Sequence, residues 1–244
     1  MILDTGCVSL FKKSIALDSN FLKPRVGLFI EHADAYWNNG NDDLIREAEL
    51  KPEIAKIEKI APNAWETNLA RGYYYYWGLK DYNKGLQYFK KVLEVFPDCD
   101  DALAMIGVIY RRQLKPEMAF PYLLRSIEMN PASAQNRLNL YYFYYHVGDT
   151  QQSWEALIGA RNLGNSDRNA WNSFIEMALD SGDFSFLPDG IRDVNPTAYD
   201  ALDAGARKDW NEFVKYPSDL LRAIGYYHLN NMDSARYYAN RLIE

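Results

Sequence analysis

The sequence predicts an all-α protein, a solenoid of about five or six stacked helical hairpins with irregular ends. Three observations carry this. Residue types recur with a 34-residue period. Within each period apolar residues fall at helical spacing. No segment alternates with the period of two that a half-buried strand requires.

The period is read by placing segments that begin at Glu66, Asp100 and Ala134 above one another. Tyr76, Tyr110 and Tyr144 then share a column, and Gly85, Ala119 and Ser153 share another that is always small. Phe89, Leu123 and Leu157 align, as do Val92, Ser126 and Ala160, and Pro97 falls over Pro131 and Asn165. Several columns in one register mark a repeat architecture, not a chance motif.

The chemistry of the columns defines a helix–turn–helix unit. In residues 101–112, Leu103, Ile106, Gly107 and Tyr110 line one helical face. A turn over residues 113–116 follows, and Pro116 suits the first turn of a second helix, where its missing N–H costs nothing. The second helix, residues 117–129, presents Ala119, Leu123 and Ser126 on one side. Gly107 and Ala119 let the two helices approach, and Tyr110 and Leu123 fill the space left. Pro131 closes the unit, because the residue before a proline is disfavoured in the α region. One hairpin cannot bury its apolar face alone, so neighbours must stack on it.

These columns resemble the tetratricopeptide repeat family: Gly107, Tyr110, Ala119, Ser126 and Pro131 occupy its signature positions, as do Tyr82 and Pro97 one unit earlier. The resemblance implies a right-handed α–α superhelix whose first helices line a concave groove. Departures are visible. Tyr73 and Tyr141 stand where a small residue is usual, which should splay those hairpins or rotate the next. Lys80 and Leu114 replace the usual turn glycine. Phrases such as residues 9–18, 72–82 and 106–113 also resemble the C-terminal repeat region of bacterial adenylate cyclases and winged-helix transcription regulators. That likeness covers roughly residues 5–165. The catalytic or DNA-binding part of such proteins lies before the repeats, and it is not visible here.

Outward from the best units (66–99, 100–133, 134–166) the period decays. Phe11, Ser14 and residues 17–20 read as the end of a second helix, and about nine extra residues are expected around 37–45. Trp171, Phe174, Ala178 and Gly182 suggest another first helix, followed by a loop over 184–196. Residues 197–216 and 217–229 read as helices, with Ile224, Gly225, Ala235 and Leu242 marking a divergent last repeat. The expected organisation is residues 1–190 as repeats, irregular over 5–65 and 167–190, and residues 191–244 as terminal helices of the same solenoid. Ragged ends leave two readings open, a piece of a longer protein or a homodimer formed through exposed ends that include Leu242 and Ile243.

Composition narrows function. The chain has 27 basic and 33 acidic residues, a net charge of −6, and no basic run longer than two residues. Nucleic acid, which needs a basic face, is therefore not the expected partner. No stretch approaches the roughly 18 apolar residues of a membrane span, and no secretory leader is read, so a cytoplasmic setting is expected. Cys7 and Cys99 form no CxxC, and His32, His146 and His228 lie in different repeats without ligands at metal spacing. Nucleophile-elbow, dinucleotide, phosphate-loop and zinc-protease motifs are all missing. Neither enzyme activity, nor a cofactor, nor a metal is expected.

The family groove positions instead point to recognition of a protein or peptide partner. They supply Arg71, Tyr74 and Trp77 in one unit, and Met105, Val108, Arg111 and Arg112 in the next. Gln135, Leu138, Asn139, Tyr142, Tyr145 and His146 come from the third. Aromatic rings bury large areas, and guanidinium groups grip carboxylates. The candidate partner-binding set is Arg71, Tyr74, Trp77, Arg111, Arg112, Asn139, Tyr142 and Tyr145. A chaperone-tail carboxylate clamp is not expected, since its columns hold Ala70 and Tyr74, or Ala104 and Val108, and only Asn139 matches in kind. Two alternatives stand beside partner binding: a ligand-sensing domain with an apolar pocket roofed by Tyr and Trp, and an oligomerisation module.

Overall fold

Every element of the computed structural model is helical among the residues it describes, which are 6–38, 43–164, 200, 203–205, 207–216 and 219–241. The chain divides into two units, Met1–Asn165 and Ser166–Glu244.

The first unit is the expected run of hairpins. Helix α1 (Gly6–Leu17) packs on α2 (Leu22–Asn38). The extra residues follow α2 as a short α3 (Asp43–Ile45) and a π-helical turn (Arg46–Leu50), before α4 (Lys51–Ile60) returns against α2. Three regular pairs come next: α5 (Trp65–Tyr73), extended by a π turn (Tyr74–Gly78), with α6 (Tyr82–Val95); α7 (Asp100–Arg112) with α8 (Pro116–Met129); and α9 (Ala134–Val147) with α10 (Thr150–Asn162).

The inter-helix turns keep the period more strictly than the sequence suggests. Lys80, Leu114 and Gly148, 34 residues apart, all take the left-handed conformation, with φ of 55°, 57° and 79°. Only the last is glycine, so Lys80 and Leu114 each tolerate a penalty of about 1–2 kcal/mol. Closing hydrogen bonds hold the bend: the Lys115 amide donates to Tyr110 O and the Asp149 amide to Tyr144 O, both at 3.0 Å. Asp81, Ser133 and Asp149 cap the helices that follow by accepting from amides three residues on. Pro116 starts α8 as expected.

Hairpins close where a small residue faces a large one. A β-carbon on Gly107 would lie 2.6 Å from Leu123 Cγ, so glycine is what allows α7 and α8 to meet. In the preceding pair the partner of Phe89 is Gly72, one position earlier, where an added β-carbon would lie 2.5 Å from the ring. Tyr73, too large for the usual contact, turns its ring edge-on to Phe89 at 5.2 Å and stacks on Trp77 at 4.6 Å. The π turn that follows takes an extra residue per turn and so absorbs the one-residue shift. Tyr141 is buried opposite the small Ser153, whose hydroxyl donates to Tyr141 O at 3.3 Å.

The second unit is described in part. Residues 197–216 do not form the single helix that the sequence suggests. Lys208 enters the left-handed region at φ 57°, and Asp209 caps a new four-residue helix α11 (Trp210–Phe213). The break follows from that local cap and turn. Helices α12 (Asp219–His228) and α13 (Met232–Asn240) pair across a turn with Asn230 at φ 56°, and Tyr226 stacks on Tyr238 at 5.6 Å. The expected first helix near Trp171, the loop over 184–196, the boundary after 190, and Leu242 and Ile243 lie outside the described residues.

Candidate functional site

Helices α2, α5, α7 and α9 are the first helices of successive hairpins in the first unit. In α7, residues 102–110 are buried without a break, with α6, α8 and α9 packed against it. Met105 and Val108, expected to face a groove, are therefore only 6% and 5% exposed, and Leu138 on α9 is 2% exposed. Accessible polar groups on α7 are left at its two ends.

At the C-terminal end, Arg111 lies 5.4 Å from the ring of Tyr142. Its Nε and Nη1 are buried and have no hydrogen-bond partner. Burial pushes its pKa down to about 10, and among the described residues no carboxylate opposes this: the titratable groups that bear on it are Tyr76, Arg112 and Tyr142. Arg112 is exposed and spreads over three rings, Trp37 at 5.2 Å, Tyr76 at 5.6 Å and Tyr82 at 6.0 Å. Trp37 in turn stacks on Tyr76 at 5.8 Å. The C-terminal ends of α2, α5 and α7 thus meet in one cation–aromatic cluster, which Tyr142 on α9 extends through Arg111.

The remaining expected residues lie in different surroundings. Arg71 pairs with Glu58 at 2.8 Å, donates to Pro62 O at 3.0 Å and covers the Tyr88 ring of α6 at 5.6 Å, so its contacts are spent between hairpins. Tyr74 is half-buried near Phe29 and Tyr75, and burial raises its pKa, with Glu47 adding to the effect. Trp77 rests on Tyr73. The five-residue aromatic run is absorbed into packing, since Tyr75 stacks on Tyr88 at 5.4 Å and Tyr76 is buried. Asn139 accepts a long 3.5 Å contact from Gln135, and Tyr145 lies beside Tyr141 at 6.1 Å and His146 at 5.6 Å. The structure brings Arg111, Arg112 and Tyr142 together, and it sets Arg71 and Tyr74 apart from them. Sequence reasoning missed Trp37, which it placed only at the edge of an insertion, and Tyr76, which it used only as a repeat column.

Asp101, at the other end of α7, was also missed, although it occupies a groove column. It retains solvent access, yet the surrounding protein and the adjacent Asp100 hold its carboxyl up at about 6. Asp100 itself is fixed by Asn130 at 2.8 Å and Asn136 at 3.3 Å. A carboxyl raised above its ordinary 3.8 binds its proton more tightly when folded. Its contribution to stability is present below about pH 4 and is lost as pH rises through about 6. The difference in melting temperature between wild type and Asp101→Asn should therefore change across pH 4–6 and be flat above pH 7, as thermal unfolding at stepped pH will show.

Other chemistry is sparse. Burial pushes the Cys99 thiol up to about 12, which keeps it protonated and poorly nucleophilic at neutral pH. Among the described residues no cluster of His, Cys, Asp and Glu could hold a metal ion, and no helix is long and apolar enough to cross a membrane. A cavity of about 480 Å³ opens beside α2 and α4, lined by Arg25, His32, Glu49, Glu53 and Lys56 among others. It has no Tyr or Trp in its wall and is not the aromatic pocket a ligand sensor would require.

Comparison with known proteins agrees with this geometry. Residues 66–99 and 100–133 each match the tetratricopeptide repeat. The chain therefore carries tetratricopeptide repeats, and its fold is the all-α solenoid of that type. Solved structures share the fold at low identity. The APC/C hetero-tetramer Cut9–Hcn1 is 15% identical with a TM-score of 0.65, over 96% of this chain and 42% of that one. PilF of Pseudomonas aeruginosa is 15% identical with a TM-score of 0.56, over 89% of this chain and 90% of that one. PilW, a type IV pilus biogenesis factor, is 15% identical with a TM-score of 0.57, over 89% and 91%. No curated protein matches the sequence. Proteins with tetratricopeptide repeats in general mediate protein–protein interaction, and the fold is generally an interaction scaffold.

Proposed function

We propose that this chain is a non-catalytic interaction module that holds an extended segment or helix of a protein partner against its first helices. The contact centres on the C-terminal ends of α7 and α9. The observation that carries the reading is the cluster of Arg111, Arg112 and Tyr142, where cations and rings lie together with partly open surface. Aromatic and arginine side chains in such settings supply most of the binding energy of protein interfaces. Asn139 and Tyr145, half-exposed on α9, extend the same face, and Trp77, in the π turn after α5 and stacked on Tyr73, completes the proposed set. The reading includes the setting that the sequence resemblance implies, a regulatory part of a larger bacterial cytoplasmic protein.

The test uses 12-residue peptides selected from a random phage-displayed library on the whole chain. Arg111→Ala with Arg112→Ala should weaken their binding at least tenfold, two truncated interface residues costing about 1 kcal/mol or more each. Helical content by circular dichroism should not change. Binding that persists at full strength in the double variant would place the partner elsewhere and overturn the reading.

A further inference from the structure

Five of the described arginines are paired with a carboxylate. Arg25 meets Glu53, Arg46 meets Asp43, Arg71 meets Glu58, Arg125 meets Asp98 and Arg207 meets Asp203. Among the described residues no carboxylate bears on Arg111. Two of its three guanidinium nitrogens are buried without an acceptor, which leaves Nη2 as the donor outside that buried set. A guanidinium withdrawn from water is costly unless an anion or a ring face compensates it. The Tyr142 ring at 5.4 Å compensates in part. Arg112 beside it makes the deficit larger, adding a second positive charge that also forms no ion pair among the described residues.

We propose that the partner segment carries an aspartate or glutamate whose side-chain carboxylate docks on Arg111 Nη2, beside the Tyr142 ring and within the field of Arg112. This rests on the partner-binding reading above and names the chemistry of that partner. One open guanidinium nitrogen matches one carboxylate oxygen. A phosphate dianion would need more donors than this, and Arg112 is held over its own three rings. The surrounding low dielectric strengthens the single contact, so the acid should act as the specificity determinant of an otherwise apolar and aromatic interface.

The display-selected 12-mers test this directly. One position should be enriched in Asp and Glu, and a synthetic binder with that Glu changed to Gln should lose roughly ten- to a hundredfold in affinity. The same exchange measured on Arg111→Met should change affinity less than about twofold, while Arg111→Lys, which keeps the charge, should retain part of the discrimination. Amidating the peptide C-terminus should have no effect. Binders without an enriched acid, equal loss on wild type and Arg111→Met, or loss on amidation would each overturn the proposal while leaving the partner-binding reading in place. A library that yields no binder at all would overturn both.

Discussion

Phe89→Ala should lower the melting temperature by about 10 °C, the largest single effect expected in the first unit. The ring is fully buried, lies against Gly72 and meets Tyr73 edge-on at 5.2 Å. Truncating such a phenylalanine costs about 3–5 kcal/mol in transfer and cavity energy. At this chain length each kcal/mol shifts the midpoint by about 2–4 °C. Gly72→Ala should act on the same contact from the other side. Its β-carbon would lie within 2.5 Å of the ring, and overpacking of this kind costs about 1–3 kcal/mol. Gln87→Ala, on the exposed side of the same helix, should stay within about 0.5 kcal/mol of wild type. Thermal unfolding followed by circular dichroism separates these cases. A loss in Phe89→Ala no larger than in Gln87→Ala would contradict the packing described for α5 and α6.

Arg111→Met should raise the melting temperature, by about 2–8 °C. The methionine fills similar volume and removes a cation whose burial costs several kcal/mol, against a cation–π contact worth about 0.5–2 kcal/mol. The net gain expected is about 1–2 kcal/mol. Arg71→Met makes the contrast, because it breaks the 2.8 Å pair with Glu58 and should leave stability unchanged or lower it by up to about 1 kcal/mol. A gain in stability coupled to a loss of binding is the mark of a residue kept for recognition. If Arg111→Met melts below wild type, the guanidinium is compensated within the fold and needs no external anion.

How much of this was legible in the sequence differs by level. The hairpins were legible because their determinants are local: Pro116 at a helix start, Asp149 at a cap, and Gly107 opposite Leu123 all act within one 34-residue period. The left-handed turns at Lys80 and Leu114 were not signalled by residue type, and only their spacing to Gly148 marks them. The one-position shift from Tyr73 to Gly72 was also hidden, since a π turn changes helical register without changing the sequence period. In the second unit a single residue, Lys208 at φ 57°, breaks a segment whose apolar pattern reads as continuous helix.

The candidate site was legible in part for the same reason. Family positions pick out a helical face, but they do not say which of its side chains a neighbouring hairpin takes up. Arg71 is taken up by Glu58 and Tyr88, and the run from Tyr73 to Trp77 by rings on α2 and α6. Among the described residues Arg111 is left without a carboxylate because the helices packed on α7 bring none to it, a fact of tertiary placement. Trp37 reaches the cluster only because α2 runs on to Asn38.

Amide hydrogen exchange of the whole chain, with and without a saturating display-selected 12-mer, tests the central claim most directly. Binding against the first helices predicts slowed exchange at the C-terminal ends of α7 and α9, within residues 109–114 and 142–148. Protection confined to the second helices α6, α8 and α10 would contradict it.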